Sequence, residues 1–320
     1  MGVGRVLVTR RLPEEGLAPL RAAGHDVVHR SDDEPYTPAE LAVAAADVDA
    51  IVCLLTDRID ESVLRRGAPR LQVVANVAVG YDNIDVATAN ELGISVCNTP
   101  GVLDETTADL AFFLVLAASR RTTAAEASLR EGRWTGFHFD EFLGVDVHGR
   151  TIGIVGFGRI GRAVARRAEG FGMEVLHHTR RDTGIAGWVG ELDDLLPRVD
   201  VVSLHVPLTA ETRGLIDARR LALMRPDSVL VNTARGPVVD EVALAEALGA
   251  GIIFGAGIDV YDDEPTVNAR LLAAPHTVLL PHIGSATAQT RRRMVELACR
   301  GAVAVLAGGR PPNLVGNLVG

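Results

Sequence analysis

TIGIVGFGRIGRAVARRAEGFG (residues 151–172) is the stretch of sequence that decides the fold. TIGIV is an apolar, β-branched run typical of a buried strand, and the residues after the glycines have the apolar spacing that predicts a helix. The turn between them is a G-x-G-x-x-G sequence that opens at the helix N-terminus. It comprises Gly156, Phe157, Gly158, Arg159, Ile160 and Gly161.

Each glycine of this turn has a physical reason. Gly156 permits a tight bend, Gly158 lets the backbone approach a pyrophosphate, and Gly161 lets the helix pack closely on the strand. The turn therefore predicts a dinucleotide-binding unit. The alternative is an ordinary strand-to-helix turn in which the glycines occur by chance.

Short β-branched runs alternate with amphipathic segments on both sides of this turn, which is typical of parallel sheets covered by helices. Five apolar runs before residue 98 predict one open sheet, and six more from Thr151 onward match a dinucleotide-binding sheet. A long helix over residues 103–132 is predicted to join the two series. A last helix over residues 286–306 is expected to pack back on the first series.

The predicted fold class is therefore α/β, with two doubly wound parallel-sheet domains. Residues 1–98 and 288–320 are expected to form a discontinuous, flavodoxin-like substrate-binding domain. A Rossmann-type dinucleotide-binding domain of residues 99–287 is expected to be inserted into it, with a cleft between the two domains.

The composition is that of a globular protein. Of the 320 residues, 48% are hydrophobic and only 4% are aromatic, which suits helices packed tightly on buried strands. The formal net charge is −9, and all 32 basic residues are arginine. This acidic balance argues against a nucleic-acid-binding protein and against binding to an anionic membrane surface.

The three cysteines, Cys53, Cys97 and Cys299, lie in apolar runs and lack C-x-x-C spacing, which indicates buried thiols in a reducing cytosol. The N-terminus has no apolar region of signal-peptide length, and the most apolar helical stretch, residues 110–118, is too short to span a bilayer. A cytoplasmic location is therefore expected. No metal site is expected, because no residues have metal-ligand spacing.

The strand predicted at residues 174–178 is followed by Thr179, Arg180 and Arg181, where NAD-preferring sites carry an acidic residue that binds the ribose hydroxyls. A carboxylate there would repel a 2′-phosphate, whereas a threonine and two arginines can donate hydrogen bonds to it and meet its charge. The strand end therefore predicts a preference for NADP(H). The alternative is an NAD enzyme in which the arginines are solvated and Asp182 is a displaced ribose ligand.

Three polar stretches at predicted strand ends are candidates for chemistry: NTARGPVVDE around Arg235, GIDVYDDEP with Asp259 and Glu264, and LLPHIGSAT around His282. Ligands of doubly wound folds bind beyond the carboxyl ends of the strands, so these side chains are expected to converge on one crevice. Each residue alone has an alternative as a surface charge or turn residue. Asp259 could instead cap a helix or a turn.

With these motifs in place, the sequence resembles the D-isomer-specific 2-hydroxyacid dehydrogenase family over nearly the whole chain. Several spaced motifs in the family's order make this resemblance specific. The motifs are VAVGYDNID (77–85), NTPGVLDETTADL (98–110), GRTIGIVGFGRIG (149–161), HVPLTAET (205–212), the Arg235 and Glu264 stretches, and PHIGSAT (281–287).

The resemblance implies a hydride-transferring oxidoreductase with three catalytic residues. Arg235 would hold the substrate carboxylate and carbonyl oxygen with its planar guanidinium. His282 would be the general acid that protonates the carbonyl oxygen as hydride arrives. Glu264 would bond the far ring nitrogen of His282, fix its tautomer and favour the protonated imidazole.

The resemblance also implies the binding residues. Val79 and Gly80 would bind the substrate carboxylate through their backbone N–H groups, and Asp259 would lie beside the nicotinamide carboxamide. The cofactor-binding set is the glycine turn and strand end given above, together with Thr107, His205, Val206, Pro207, Thr212, Thr233, Ala234, Asp259, His282 and Gly284.

Within the family, the chain looks closest to the glyoxylate and hydroxypyruvate reductase branch. Phosphoglycerate enzymes carry an arginine where Asn76 stands, so a small, singly anionic 2-oxoacid is expected, with Leu54 in CLLTDRID (53–60) as an apolar wall. One departure concerns the two tryptophans that many members of that branch have after the long helix. Here they are Trp134 and Phe137, so an indole N–H is lost.

Three alternatives stay open at this stage. The first is an NAD enzyme of another specificity, phosphoglycerate dehydrogenase-like or otherwise; the second is a non-catalytic, dinucleotide-sensing corepressor; and the third is an NAD-dependent oxidase of formate or phosphite. A homodimer is also expected, because the helix with Phe112, Phe113 and Leu116 would expose an apolar patch on a monomer.

Overall fold

Two separate parallel sheets with eleven strands between them form the framework of the computed structural model, which describes residues 2–30 and 33–315. The strands are β1 (Arg5–Val8), β2 (Asp26–His29), β3 (Ala50–Cys53), β4 (Val73–Asn76), β5 (Ser95–Cys97), β6 (Thr151–Val155), β7 (Glu174–His178), β8 (Val201–Leu204), β9 (Val229–Asn232), β10 (Gly255–Ile258) and β11 (Thr277–Leu279).

Helices follow every strand, as the crossover connections of a parallel sheet require. They are α1 (Glu14–Ala22), α2 (Pro38–Ala45), α3 (Glu61–Gly67), α4 (Val86–Glu91), α5 (Asp104–Ser119), α6 (Thr122–Arg130), α7 (Arg159–Gly170), α8 (Leu192–Leu195), α9 (Ala218–Leu221), α10 (Glu241–Gly249), α11 (Ala269–Ala273) and α12 (Ala288–Leu306). Two short 3-10 helices lie at Leu196–Arg198 and Gly236–Val238.

The chain divides into two compact units. The outer unit is Met1–Leu103 with Ser285–Gly320, and the inserted unit is Asp104–Gly284. The boundaries therefore fall at Leu103 and Ser285, whereas the sequence predicted boundaries at residues 98 and 288.

The outer unit contains a five-stranded sheet in the order β2-β1-β3-β4-β5, with every pair parallel. This is the flavodoxin-like order, in which the chain reverses its winding between the first and third strands. α12 packs on β3, β4 and α1, so the end of the described chain returns to the first series of strands. α12 begins at Ala288, because the Thr287 hydroxyl caps it by accepting from the Thr290 N–H.

The inserted unit contains a six-stranded parallel sheet in the order β11-β10-β9-β8-β6-β7. Beyond β7, Trp188 forms a single parallel bridge to His177, which supplies the position of the third strand in the Rossmann order. Strands β8, β9 and β10 are buried along their whole length, since helices cover both faces of the sheet. The predicted fold class, two doubly wound parallel-sheet domains, is confirmed.

The long helix predicted over residues 103–132 is wrong, because the structure has two helices with a break at Arg120–Arg121. Arg121 adopts a left-handed conformation with φ of 52°. The Val145 N–H donates to the Ser119 carbonyl at 2.9 Å, so an incoming segment takes a carbonyl that would otherwise continue the helix. Gly144 allows this approach, since a Cβ at Gly144 would lie 2.2 Å from the Ser119 oxygen.

The cysteines are unpaired and buried in the core of the outer unit. Burial raises the pKa of the thiols of Cys97 and Cys299 to about 12, so both are inert at neutral pH. Among the described residues, no helix is both long enough and apolar enough to cross a membrane.

Candidate active site

The glycine turn joins β6 to α7 at the point where the strand order of the inserted sheet reverses. Gly156 has φ of 95°, and a Cβ there would lie 2.6 Å from the carbonyl carbon of His205 at the end of β8. A Cβ at Gly161 would lie 2.3 Å from the Gly156 oxygen, so this glycine lets α7 pack closely on the turn. Gly158 faces open space. The turn thus has a bend, an open approach and a close contact, the geometry that admits a pyrophosphate.

The end of β7 carries two exposed arginines. The Thr179 hydroxyl donates to the Arg181 carbonyl at 2.7 Å, and the Trp188 indole N–H donates to the Thr179 carbonyl at 3.3 Å, which fixes the backbone of this loop. Across residues 2–30 and 33–315, no hydrogen bond or salt bridge engages the guanidinium of Arg180 or Arg181. Asp182 accepts from the Gly184 N–H at 2.8 Å, so one of its oxygens closes its own turn.

His177 and His178 pack at this strand end. His177 is fully buried and stacks on Phe157 with 3.9 Å between ring centroids, and its Nε2 lies 2.8 Å from the Thr183 hydroxyl. Burial lowers the pKa of His177, so the ring is neutral. No cluster of histidine, cysteine and acidic residues suited to a metal occurs in the described part of the chain.

His282 and Glu264 form a direct pair. The Nδ1 atom of His282 lies 2.7 Å from Oε2 of Glu264, and Oε1 of Glu264 accepts from the Tyr261 N–H at 3.0 Å. His282 follows β11 with φ of 53°, and both side chains of the pair are about one quarter exposed. They are therefore held by the protein and still open to a ligand.

The charge of Glu264 decides which ring nitrogen of His282 can exchange a proton. Burial alone would raise the pKa of Glu264, but the hydrogen bond and charge of His282, the Tyr261 N–H and the charge of Arg235 together lower it. An ionised Glu264 can only accept, so Nδ1 carries the proton of the shared hydrogen bond. Nε2 is left as the atom for proton exchange.

Asp259 supports the segment that carries His282. It is fully buried at the end of β10, and its two oxygens accept from the N–H groups of Ile283 and Gly284 at 2.7 and 2.8 Å. Burial raises the pKa of Asp259 to about 6. The turn-capping role that the sequence left open for Asp259 is therefore present. A Cβ at Gly284 would lie 3.5 Å from the Thr107 methyl group, so Thr107 lies beside this turn.

Arg235 follows β9, the neighbour of β10. The side chain of Asn232 accepts from the Ala234 N–H at 3.0 Å and donates to the Arg235 carbonyl at 2.9 Å, which fixes the backbone on both sides. A Cβ at Gly236 would lie 1.8 Å from the Tyr261 carbonyl carbon, so only glycine lets the Arg235 loop pack against the Glu264 loop. The structure therefore brings Arg235, Glu264 and His282 together at the ends of three adjacent strands.

Sequence reasoning missed the two supporting residues in this group, Asn232 and Gly236. The available signals were an asparagine as the last residue of a buried strand and a glycine directly after the candidate arginine. The sequence does not show which loops Asn232 and Gly236 contact, so their partners could not be predicted from it.

The segment after β8 is held by its own side chains. The Thr212 hydroxyl donates to the Pro207 carbonyl at 2.6 Å and accepts from the Thr209 N–H at 2.8 Å, so it closes the loop that begins at His205. His205 lies 2.8 Å from the Ser203 hydroxyl, and burial lowers its pKa to about 4, so its ring is neutral at pH 7.

Two features of the inserted unit fit a dinucleotide. The open approach at Gly158 leaves room for a phosphate. The Thr233 hydroxyl is buried and has no hydrogen-bond partner among the described residues, so it is available to bond a ligand. Ala234 is the next residue along this strand end and is buried.

The outer unit contributes the remaining candidates. Val79 and Gly80 lie in the loop after β4, and Leu54 directly follows β3, its neighbour in the sheet. The Leu54 N–H donates to the buried carboxylate of Asp57 at 2.8 Å. These three residues are therefore all at the carboxyl edge of the outer sheet.

Sequence comparisons relate the chain to one enzyme family. Residues 112–284 match the model of the D-isomer specific 2-hydroxyacid dehydrogenase, NAD binding domain. The chain is 47% identical over 325 residues to a glyoxylate reductase of Thermococcus onnurineus, covering 98% of this chain and 96% of that protein. It is 47% identical over 324 residues to a glyoxylate reductase of Korarchaeum cryptofilum, with coverage of 98% and 96%.

Solved structures agree with the sequence comparisons. A crystal structure of a Thermus thermophilus protein has a TM-score of 0.90 at 46% identity and covers 97% of this chain and 99% of its own. The NADPH-dependent glyoxylate/hydroxypyruvate reductase of Sinorhizobium meliloti, crystallised with NADP and malonate, has a TM-score of 0.88 at 36% identity, with coverage of 98% and 97%.

The lowered pKa of Glu264 predicts a pH-dependent contribution to stability. An acid whose pKa falls on folding stabilises the fold above its ordinary pKa, here 4.5, and loses that contribution as the pH falls through the folded value. The difference in free energy of unfolding between the parent and Glu264→Gln is therefore expected to be largest above pH 4.5 and to shrink in more acidic buffer. Urea denaturation across this range measures it.

Glu169→Gln, which changes an exposed residue of α7, is the control. A Glu264→Gln difference that stays constant or grows as the pH falls would contradict the ionised carboxylate.

Proposed function

The chain belongs to the D-isomer specific 2-hydroxyacid dehydrogenase family, and we propose that it transfers hydride from NAD(P)H to glyoxylate or hydroxypyruvate, giving the 2-hydroxyacid, in the D form where the product is chiral. As a member of that family it is an NAD(P)-dependent oxidoreductase. The observation that carries the proposal is the hydrogen-bonded pair of His282 and Glu264 beside Arg235. The glyoxylate reductases that it resembles support the choice of substrate.

In this proposal each residue of the group has one task. Arg235 binds the substrate carboxylate and carbonyl oxygen with its guanidinium. His282 donates a proton from Nε2 to the carbonyl oxygen, while Glu264 holds Nδ1 and stabilises the cationic ring. The bound cofactor supplies the hydride that adds to the carbonyl carbon. From the outer unit, the N–H groups of Val79 and Gly80 are the proposed partners of the substrate carboxylate.

The surroundings of Asn76 support a substrate with one anionic group. Asn76 is fully buried and donates to the Gly80 carbonyl at 2.8 Å and to Asn83 Oδ1 at 3.1 Å, so its amide is used within the protein. Phosphoglycerate enzymes of the family carry an arginine at this position, and this chain has none there. Leu54 is the proposed apolar wall, which suits a short 2-oxoacid.

NADP(H) is the proposed cofactor, with NAD(H) as the alternative. The support is the exposed pair of Arg180 and Arg181 at the end of β7, and the engagement of Asp182 in its own turn. The proposed cofactor-binding residues also include the glycine turn and, from other strand ends and loops, Thr107, His205, Val206, Pro207, Thr212, Thr233, Ala234, Asp259, His282 and Gly284.

The three unpaired cysteines suit a reducing compartment, and the cytoplasm is the proposed location.

His282→Ala is expected to lower kcat for glyoxylate about 100-fold or more, because a positioned general acid contributes roughly that much, while the KM for NADPH stays close to that of the parent.

Arg235→Lys is expected to raise the KM for glyoxylate as well as to lower the rate, since an ammonium cannot reproduce the planar two-point contact. Steady-state kinetics with glyoxylate, hydroxypyruvate, pyruvate and 3-phosphohydroxypyruvate measure both effects.

Reduction of glyoxylate by His282→Ala at the parent rate would show that another group is the acid. A parent protein that binds NADPH but turns over none of the four 2-oxoacids would favour a dinucleotide-sensing role.

Replacing both Arg180 and Arg181 with alanine is expected to raise the KM for NADPH about ten-fold or more and to leave the KM for NADH nearly unchanged, because only NADPH has the 2′-phosphate. Arg198→Ala, another exposed arginine of the inserted unit, is the control. Equal changes in the two KM values would show that the pair does not select the cofactor.

A homodimer is the proposed assembly, but the surface differs from the one expected. Phe112 is buried and packs on Phe171 at 4.8 Å, and Leu116 is partly buried, so neither contributes an exposed patch. Phe113 is half-exposed, and Trp134, Phe137 and Phe139 in the segment after α6 are 56%, 86% and 88% exposed. Such a concentration of exposed aromatic side chains supports self-association.

The double variant Phe137→Ser/Phe139→Ser is expected to have the mass of one chain at concentrations where the parent has the mass of two, by light scattering. Leu272→Ser, which changes an exposed leucine of α11, is the control. A parent protein that is monomeric in this measurement would contradict the dimer.

A further inference from the structure

We propose that the strand-end asparagines Asn76, Asn98 and Asn232 are positioning residues, which aim the backbone of the residues that bind the substrate carboxylate. Each donates a hydrogen bond from its side-chain amide to the carbonyl of one such residue. The inference rests on the proposed function and adds the group that orients its binding residues.

In the outer unit, three consecutive carbonyl groups of the loop after β4 are held by defined donors. The Ala78 carbonyl accepts from the Thr99 N–H at 2.9 Å, the Val79 carbonyl from Asn98 Nδ2 at 2.8 Å, and the Gly80 carbonyl from Asn76 Nδ2 at 2.8 Å. Asn76 and Asn98 lie at the ends of the adjacent strands β4 and β5, so the sheet fixes where both amides begin.

Holding these carbonyls also directs the N–H groups of the loop. In a trans peptide the N–H points opposite to the C=O of the same peptide unit, so each anchored carbonyl fixes the direction of the next N–H. Within residues 2–30 and 33–315, the N–H groups of Val79 and Gly80 have no acceptor. The loop therefore presents fixed donors that suit a carboxylate, at the two residues proposed to bind one.

Asn76 also connects this loop to the proposed substrate wall. Its Nδ2 donates to Asn83 Oδ1 at 3.1 Å, and Asn83 donates in turn to the carbonyls of Leu54 and Asp57 at 3.1 and 3.0 Å. An unbroken series of amide hydrogen bonds thus runs from the Gly80 carbonyl to the Leu54 carbonyl. The apolar wall and the anion-binding loop are held as one network.

In the inserted unit, a strand-end asparagine likewise donates a hydrogen bond to the carbonyl of Arg235. Asn232 is fully buried at the end of β9, accepts from the Ala234 N–H and donates to the Arg235 carbonyl. The Arg235 guanidinium also donates to the Ala234 carbonyl at 2.8 Å. Asn232 therefore fixes the main chain from which the substrate-binding guanidinium extends.

The role predicts a specific kinetic signature for Asn98→Asp. An ionised aspartate has no N–H to donate and would repel the Val79 carbonyl, so the loop would lose its orientation. At pH 8 the KM for glyoxylate is expected to rise about ten-fold or more, with the KM for NADPH changed less than about two-fold. At lower pH a protonated carboxyl can donate again, so the KM ratio of variant to parent is expected to fall toward one.

Asn313→Asp is the matched control. Asn313 is also buried in the outer unit, and its Nδ2 donates to the Asn98 carbonyl at 2.8 Å, with no hydrogen bond to Val79 or Gly80. The same chemical change there is expected to lower the melting temperature while leaving the KM for glyoxylate within about two-fold of the parent. Asn98→Ala, which adds no charge, provides the test if Asn98→Asp does not fold.

Equal KM changes in Asn98→Asp and Asn313→Asp, or a lower melting temperature of the Asn98 variants with an unchanged KM for glyoxylate, would overturn the positioning role. If the proposed function itself is wrong, the parent protein will reduce none of the 2-oxoacids. That result is distinct from any effect of an asparagine variant.

Discussion

A parallel sheet places the carboxyl ends of all its strands at one edge, and this constraint assembles the chemistry of the protein. β9, β10 and β11 are neighbours in the inserted sheet, about 5 Å apart from strand to strand, and the segments after them carry Arg235, Glu264 and His282. Residues far apart in the chain therefore meet although each loop is short. Gly236 allows the last approach, because no side chain fits between its loop and the Tyr261 peptide.

The same constraint creates a difficulty that the asparagines resolve. Backbone carbonyls just past a strand end have left the sheet ladder while their loops are still partly buried, and a carbonyl removed from water without a donor is costly. Asparagine has a short side chain with both a donor and an acceptor, so it can satisfy a loop that starts one or two residues later. At Asn76 and Asn232 this solution also removes freedom from the loops that the proposed reaction needs rigid.

The strands and the main site residues could be predicted from the sequence because both depend on local patterns. Apolar β-branched runs predicted all eleven strands, and polar residues just past those runs indicated Arg235, Glu264 and His282. The break at Arg121 could not be predicted, since it depends on Val145 reaching the Ser119 carbonyl from a separate segment. The burial of Phe112 against Phe171 and the partners of the asparagines likewise depend on tertiary contacts. The roles of the cofactor and substrate residues stay predictions.

Asp259 and Glu264 lie on one loop, and their surroundings separate their acidities. Both lose hydration on folding, which raises the pKa of a carboxylic acid. For Asp259, burial outweighs the N–H groups of Ile283 and Gly284 and the charge of His282, so its pKa stays raised at about 6. Glu264 shares a direct hydrogen bond with His282 and also feels the charge of Arg235, and its pKa falls below the ordinary value.

This separation gives the two acids different structural tasks. The charge of a protonated His282 helps to lower the pKa of both acids. Asp259 fixes the backbone of the histidine segment through the N–H groups of Ile283 and Gly284, and Glu264 fixes the ring through its hydrogen bond to Nδ1.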